Sequence, residues 1–470
     1  MHRVGTSSQR RPRRLRRLRP RARARQRAQR PPRHRPPRHR RRHKPRREQI
    51  ANHLRGMTEP HNREQIGEEP ATHDWPLAGV RVVDLSRVLS GPSCAKALAD
   101  LGADVIKVEP PEGDLTRTAQ PRAGGIPVYF AQQNCGKRCI SVDLATPKGR
   151  ELILRLVRVS DVVVENFRPG VLERLGLGYE QARAINPALI YCSVSGYGQD
   201  GPSANRRAYA PVMHAELGLM ELTARRRRSE PVAEAVSHAD LYAGLQATIA
   251  VLAALRQRDR TGRGQHVDVS MAETLLQAME LTAVELAGGE GDRFHVFGGY
   301  NAPVLRLGDG TVVCVAGDPV STFPAWCRAM GEEGLLTDAR FATHESRDHN
   351  RAAMLRELQE LAKRFQSFAD FEAAMGRSRM AAGALRTVTE AATSDWAVTR
   401  GALVDVGDAT TGPIRLPRSA VRYSAARAST HGRPAHQGEH NGEVLKEVLG
   451  MTDDEVAVLT EEGVLRERLP

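Results

Sequence analysis

An α/β fold built on an open parallel sheet is predicted by three observations along this 470-residue chain. Residues 80–114, VRVVDLSRVLSGPSCAKALADLGADVIKVEPPEGD, read as strand, turn, helix and second strand with no spare residues. Two buried apolar strands joined by a helical crossover pair in parallel, because parallel neighbours need such a connection and antiparallel ones do not. The same alternation continues downstream, and each apolar run ends in a segment rich in Gly, Pro and polar groups.

Residues 80–85 are largely β-branched and apolar, Gly91-Pro92 is expected to break the chain in a tight turn, 95–101 has helical spacing, and 103–108 is apolar again. Residues 140–144 form a short strand. Pro147 suits a first helical position, where its missing N–H would have no partner anyway. Residues 161–165 and 189–195 are further strands. Residues 241–256 are apolar and Ala-rich, which predicts a buried helix with Asp240 at its N-cap, ended by Thr261-Gly-Arg-Gly ahead of a strand at 266–270. Residues 304–315 around Gly308-Asp-Gly read as a hairpin and 352–365 as a helix. In open parallel sheets ligands gather beyond the carboxyl ends of the strands, so EPPEGD, ENFRPG and SGYGQDGP become the candidate site. By composition alone they are also ordinary strand-to-helix loops.

The formal charge of +15 suggests a nucleic-acid binder until it is located. Residues 1–50 hold 22 Lys and Arg against one acid, Glu48, leaving 48 of the 70 basic and 54 of the 55 acidic residues for the other 420. The body is mildly acidic and the basicity belongs to a tail. That Arg/Pro-rich tail, residues 1–56, lacks core-forming residues and is expected to be disordered. It reads either as an arm for phosphate backbones or as upstream sequence, with Met57 the true initiator. Its first fifty residues contain no aromatic that could stack on a base, which argues against base-selective binding.

No apolar window is expected to reach a membrane span, and the tail has no apolar signal region. Cys94, Cys135, Cys139, Cys192, Cys314 and Cys327 are scattered without CxxC pairs, which fits reduced thiols in a cytoplasmic protein.

The motifs in series carry a resemblance. Residues 80–114, then NCGKRCISVDLATPKG, ENFRPGVLERLG, SGYGQDGP, HADLYAG with TGRGQHVDVSM behind it, and GEHNGEVLKEVLG resemble the class III CoA-transferase family. Formyl-CoA transferase, carnitine CoA-transferase and the α-methylacyl-CoA racemases belong to that family, and the likeness runs from about Trp75 to the end. It implies a Rossmann-like CoA-binding domain over 75–285, a smaller α+β domain over 286–400, and a return of 401–470 to the first domain. It also implies an interlocked homodimer, acyl-CoA and a carboxylic acid as substrates, and no tightly bound cofactor or metal.

As an N-cap, Asp240 would contribute about 1 kcal/mol and nothing more. The resemblance makes it the nucleophile instead. A carboxylate is ionised at neutral pH without a base, since an ordinary Asp titrates near about 3.9. Carried over in the same way are CoA contacts at Leu89, Ser90, Val142, Asp143, Leu144, Asn166, Phe167, Arg168, Arg174, Arg207 and Tyr209, and a closing loop at Gly298 and Gly299. The racemase members resemble a His-Asp pair where this chain has Tyr209-Ala210, so one of two bases for α-proton exchange is absent. Ala210 also replaces the acid that transferases commonly carry there. His214 and His238 read as packed or hydrogen-bonded side chains. The alternatives are an acyl-CoA racemase or epimerase and, in a different class, nucleic-acid binding through the tail.

Overall fold

The computed structural model describes residues 74–288, 301–408 and 412–468. The Arg/Pro-rich tail, Met57, Gly298 and Gly299 lie outside the described residues. Six strands form one sheet: β1 (Arg81–Asp84), β2 (Asp104–Glu109), β3 (Arg138–Ser141), β4 (Val162–Glu165), β5 (Ile190–Ser195) and β6 (Gln265–Ser270). Their order is β3-β2-β1-β4-β5-β6 and every pairing is parallel. This is the doubly wound arrangement, whose strand order reverses between β1 and β4 and leaves a crevice there.

Alternation along the strands sorts side chains to two cores. Val82, Val105, Val162, Val164 and Ile190 pack under α1 (Ser90–Asp100). Val83, Ile106, Val163 and Tyr191 face the other way, onto α2 (Pro147–Arg158). Pro147 takes the first position of α2, and the Thr146 side chain accepts the Gly149 N–H. A sheet covered on both faces requires strands that are apolar throughout, which is why they stand out in the sequence.

Further on come α3 (Ala210–Glu216), α4 (His238–Thr261) and α5 (Met271–Ala278). Helix α4 ends on Gly262 at φ +68°, a left-handed position that suits glycine. A third core around Phe323, Trp326, Phe341 and Phe371 fills the space beside a small antiparallel sheet of β7 (Val304–Arg306), β8 (Val312–Val315) and β9 (Ala382–Ala384). A hairpin of β10 (Leu403–Val406) and β11 (Ile414–Pro417) follows. The chain then returns to the large sheet, where His440 Nδ1 accepts the Cys139 N–H at 3.1 Å and Asn441 Oδ1 accepts the Ser141 N–H at 2.9 Å. The late HNG motif thereby covers the exposed backbone of edge strand β3.

Four expectations are corrected. Gly91 and Pro92 are not a turn but lie in the first turn of α1, where proline gives up no hydrogen bond. The strand expected at 140–144 is shifted to Arg138–Ser141, because Asp143 turns the chain by accepting the Ala145 N–H. Helix α4 is buried on one side only: Leu245 and Ile249 are 59% and 60% exposed. It is also 24 residues long and apolar enough to cross a membrane by length and composition, contrary to the expectation that no such window exists.

Among the described residues all six cysteines are free, five of them buried and Cys314 exposed. Also among them, no cluster of His, Cys, Asp or Glu could hold a metal ion.

Candidate active site

A cavity of about 860 Å³ opens at the carboxyl ends of β1, β4 and β5, at the crevice where the strand order reverses. Another, of about 520 Å³, lies against the small sheet and shares no lining residue with it. The larger one is lined by the segment after β1, including Val88, Leu89 and Ser90, and by Asn166, Phe167 and Arg168 after β4. Arg207, Tyr209, Ala210 and Asp240 complete the opposite wall.

Asp240 is not the N-cap of α4 but its third residue; Ser237 is the cap position and makes no side-chain cap bond. The helix begins earlier because a distant partner takes one of its first-turn donors: His214 Nε2 accepts the Ala239 N–H at 3.2 Å. That bond requires an unprotonated Nε2, and burial holds His214 below the usual imidazole range. Its ring lies 5.8 Å from that of His238, so both histidines are packing partners at the head of α4.

Helix α4 reaches the cavity wall through a close approach. A Cβ on Gly244 would stand 2.0 Å from Ser93 Oγ and 2.8 Å from the Ser90 carbonyl oxygen, so only glycine lets α4 lie this near α1. Gly91 is fixed for the same reason, since a Cβ there would meet Ser86 Cβ at 2.2 Å. The Ser90 N–H, the Ser90 hydroxyl and the Ala210 N–H come near enough to the Asp240 carboxylate to favour its ionised form. Burial opposes them and is the larger effect, pushing Asp240 up to about 6. This corrects the ordinary value assumed from the sequence. The carboxyl is still mainly ionised at pH 7, and it faces an open cavity rather than a sealed interior.

The segment between β1 and α1 is gripped on several sides. Asn166 Oδ1 accepts the Arg87 N–H at 2.8 Å, and its Nδ2 donates to the Arg87 carbonyl at 2.8 Å and to Ser90 Oγ at 3.1 Å. Asn166 is thus a clasp between two loops. Val88 sits at φ +68°, a conformation that strains a β-branched residue by about 1–3 kcal/mol. Beneath the segment, Lys107 and Asp114 pair at 3.1 Å with both side chains fully buried, and Lys137 pairs with Asp84 at 2.8 Å in the same way. The Arg87 guanidinium lies 4.8 Å over the Phe167 ring at the rim.

Leu89, Ser90, Asn166, Phe167, Arg168, Arg207 and Tyr209 all line the cavity with Asp240; Val142, Asp143, Leu144 and Arg174 do not. Val142 is buried in the core and bridges to Leu465, while the Asp143 N–H donates to the Val464 carbonyl, so the returning carboxyl-terminal segment occupies that edge. Arg174 folds back on its own one-turn helix, Nη1 lying 3.0 Å from where a Gly170 Cβ would stand. Tyr129, Asp114, Arg87, Arg206 and Met271 line the cavity without having been singled out in the sequence. Tyr129 comes from a separate helix, Val128–Asn134, and Asp240 and Asp114 lie close enough to add to the upward shift that burial gives its phenol. A sequence motif could not have shown this, because the proximity is entirely tertiary.

The family described as CoA-transferase family III matches residues 77–441. The chain is 35% identical over 399 residues to succinyl-CoA–D-citramalate CoA-transferase of Chloroflexus aurantiacus, covering 83% of this chain and 98% of that protein. It is 34% identical to human succinyl-CoA:glutarate CoA-transferase, covering 83% and 90% respectively. Among solved structures, a CAIB/BAIF family protein from Brucella suis superimposes with a TM-score of 0.70 at 36% identity, covering 80% of this chain and all of that one.

Proposed function

Because the chain belongs to CoA-transferase family III and is an enzyme of that kind, we propose that it moves CoA from an acyl-CoA to a carboxylic acid with Asp240 as the covalent nucleophile. The observation that carries this reading is the Asp240 carboxylate at the wall of an 860 Å³ cavity that Ser90 and Ala210 also line.

An Asp240 oxygen attacks the thioester carbonyl, the C–S bond breaks, and CoA leaves as thiolate from a mixed anhydride. The thiolate then attacks the Asp240 carbonyl, breaking the anhydride C–O bond and releasing the donor acid. Asp240 now carries CoA as a thioester. The acceptor carboxylate repeats the sequence in reverse order, and neither ATP nor net proton transfer is needed. Whenever the Asp240 carbonyl is attacked, its oxygen becomes an oxyanion, and the N–H groups of Ser90 and Ala210, which already favour the charged carboxylate, are the nearby donors for it. These are backbone donors, so the alanine at 210 supplies one as well as an acidic residue would.

Arg168 and Arg207 suit the phosphates of CoA, since a guanidinium stays charged and donates paired hydrogen bonds. Succinate, glutarate and citramalate, the acids in the names of its relatives, carry two carboxylates. A dicarboxylic acid is the acyl class we assign, with Arg87 at the rim available to its distal carboxylate. We further assign the small-sheet region to a separate domain, the assembly to a homodimer, and the location to the cytoplasm.

The test is to incubate the protein with a panel of acyl-CoAs and map the adduct by mass spectrometry. CoA on Asp240 and transfer to dicarboxylates are expected. An Asp240→Asn variant with substantial turnover would place the chemistry on another residue.

A further inference from the structure

Why Val88 holds a left-handed backbone next to the nucleophile is answered by the groups around it. We propose that Asp114 is a positioning residue for the transfer: by accepting the Val88 N–H it locks the segment from Arg87 to Ser90 and so keeps Ser90 beside Asp240 on the cavity wall. The inference rests on the reading of Asp240 as nucleophile.

Asp114 Oδ2 and Oδ1 lie 3.2 and 3.4 Å from the Val88 nitrogen. The carboxylate is itself immobile. Oδ1 accepts the Thr116 N–H at 2.9 Å and the Thr116 hydroxyl at 2.8 Å, and Oδ2 pairs with Lys107 Nζ at 3.1 Å. The same ammonium donates to the Ser86 carbonyl at 2.9 Å. One buried ion pair therefore holds both the start of the segment, at Ser86, and its strained residue, at Val88. With Arg87 already clasped by Asn166, the first N–H groups of α1 have a single direction available to them.

A strained β-branched residue persists only where its surroundings over-determine it, and such residues cluster at functional sites. Without the carboxylate, Val88 relaxes to negative φ and rotates the peptides that follow. Ser90 is two residues on, so its N–H leaves Asp240.

Asp114 lines the cavity, but its side chain and that of Lys107 are fully buried, so the ion pair acts through the segment it holds rather than by touching substrate. Asp114 is held down to about 2 by Lys107 and the Thr116 donors, against the opposing push of burial. It stays charged at neutral pH, and its loss also relieves part of the upward push on the Tyr129 phenol, which titrates well above the range in which Asp240 does.

Two variants separate positioning from simple structural support. Asp114→Ala with Lys107→Met removes both buried charges together. Val88→Pro leaves the ion pair in place but deletes the N–H and fixes φ near about −65°. Each is expected to lower kcat roughly 10- to 100-fold, the cost of misaiming one oxyanion donor, with far less change in KM for the acyl-CoA. In each, the pH midpoint of adduct formation is expected to rise, because Asp240 loses a donor that favours its charged form. Adding Val88→Gly to the Asp114→Ala/Lys107→Met protein is expected to restore most of the rate, since glycine takes φ near +68° without strain.

Wild-type kcat in Val88→Pro, or a loss in the double variant that Val88→Gly leaves unrepaired, overturns the proposal while leaving the nucleophile in place. Absence of a CoA adduct on Asp240 in the unaltered enzyme overturns both.

Discussion

Changing the proton concentration around Asp240 tests the site most directly. Its carboxyl is raised from 3.8 to about 6, chiefly by burial, a difference of about 2 pH units or about 3 kcal/mol between its two protonation states. At pH 7 roughly ten carboxylates stand ionised for each one protonated, and at pH 5 the ratio is inverted. The rate of adduct formation, followed by quenching and mass spectrometry at saturating acyl-CoA, should therefore fall about tenfold from pH 7 to pH 5. Stability runs the opposite way. A carboxyl whose folded value lies above its unfolded value favours the native state while protonated, and that contribution disappears as pH rises through about 6. Asp240→Asn should consequently be inactive yet more resistant to urea at pH 7.5, by no more than about 3 kcal/mol, with the advantage shrinking toward pH 5. An adduct rate that is flat down to pH 5, or an inactive Asn variant that is less stable at pH 7.5, would refute the account of a buried nucleophile opposed by backbone donors.

Three other outcomes follow from the packing and charge already described. Gly244→Ala should force α4 away from α1, since the new methyl would stand 2.0 Å from Ser93 Oγ; both adduct formation and melting temperature should drop, while Gly262→Ala, with nothing within 4 Å, should leave the adduct rate unchanged. Glu165, pushed up to about 7 by burial, should withdraw stability as pH rises from about 4.5 through 7, and Glu165→Gln should flatten that part of a urea-stability profile. Lys137→Met should cost about 3–5 kcal/mol by stranding Asp84 in the interior, and adding Asp84→Asn should recover much of it in chemical denaturation.

The strands were legible because a doubly covered sheet demands uninterrupted apolar runs, and Val82, Val83, Val163 and Val164 supply them to both cores. The cavity wall was legible where it follows a strand: Leu89, Ser90, Asn166, Phe167 and Arg168 each come within a few residues of one. What sequence could not show depends on contacts made far along the chain. The start of α4 was misplaced because His214, not a local Ser or Asp, satisfies its first turn. Val142 to Leu144 sit in a motif that resembles a CoA contact, yet the returning segment around Leu465 takes up that edge. The positive φ of Val88 was invisible too, since nothing in a valine announces the carboxylate that holds it.

The strand-order reversal between β1 and β4 distributes the tasks of the site over separate stretches of polypeptide. Asp240 and its donors belong to helix beginnings locked by glycine contacts and buried ion pairs, while the arginines at 168 and 207 ride on connecting loops. Asn166 clasps the Arg87–Ser90 segment from the same loop that carries Arg168, so a change in the course of that loop would reach the head of α1 as well.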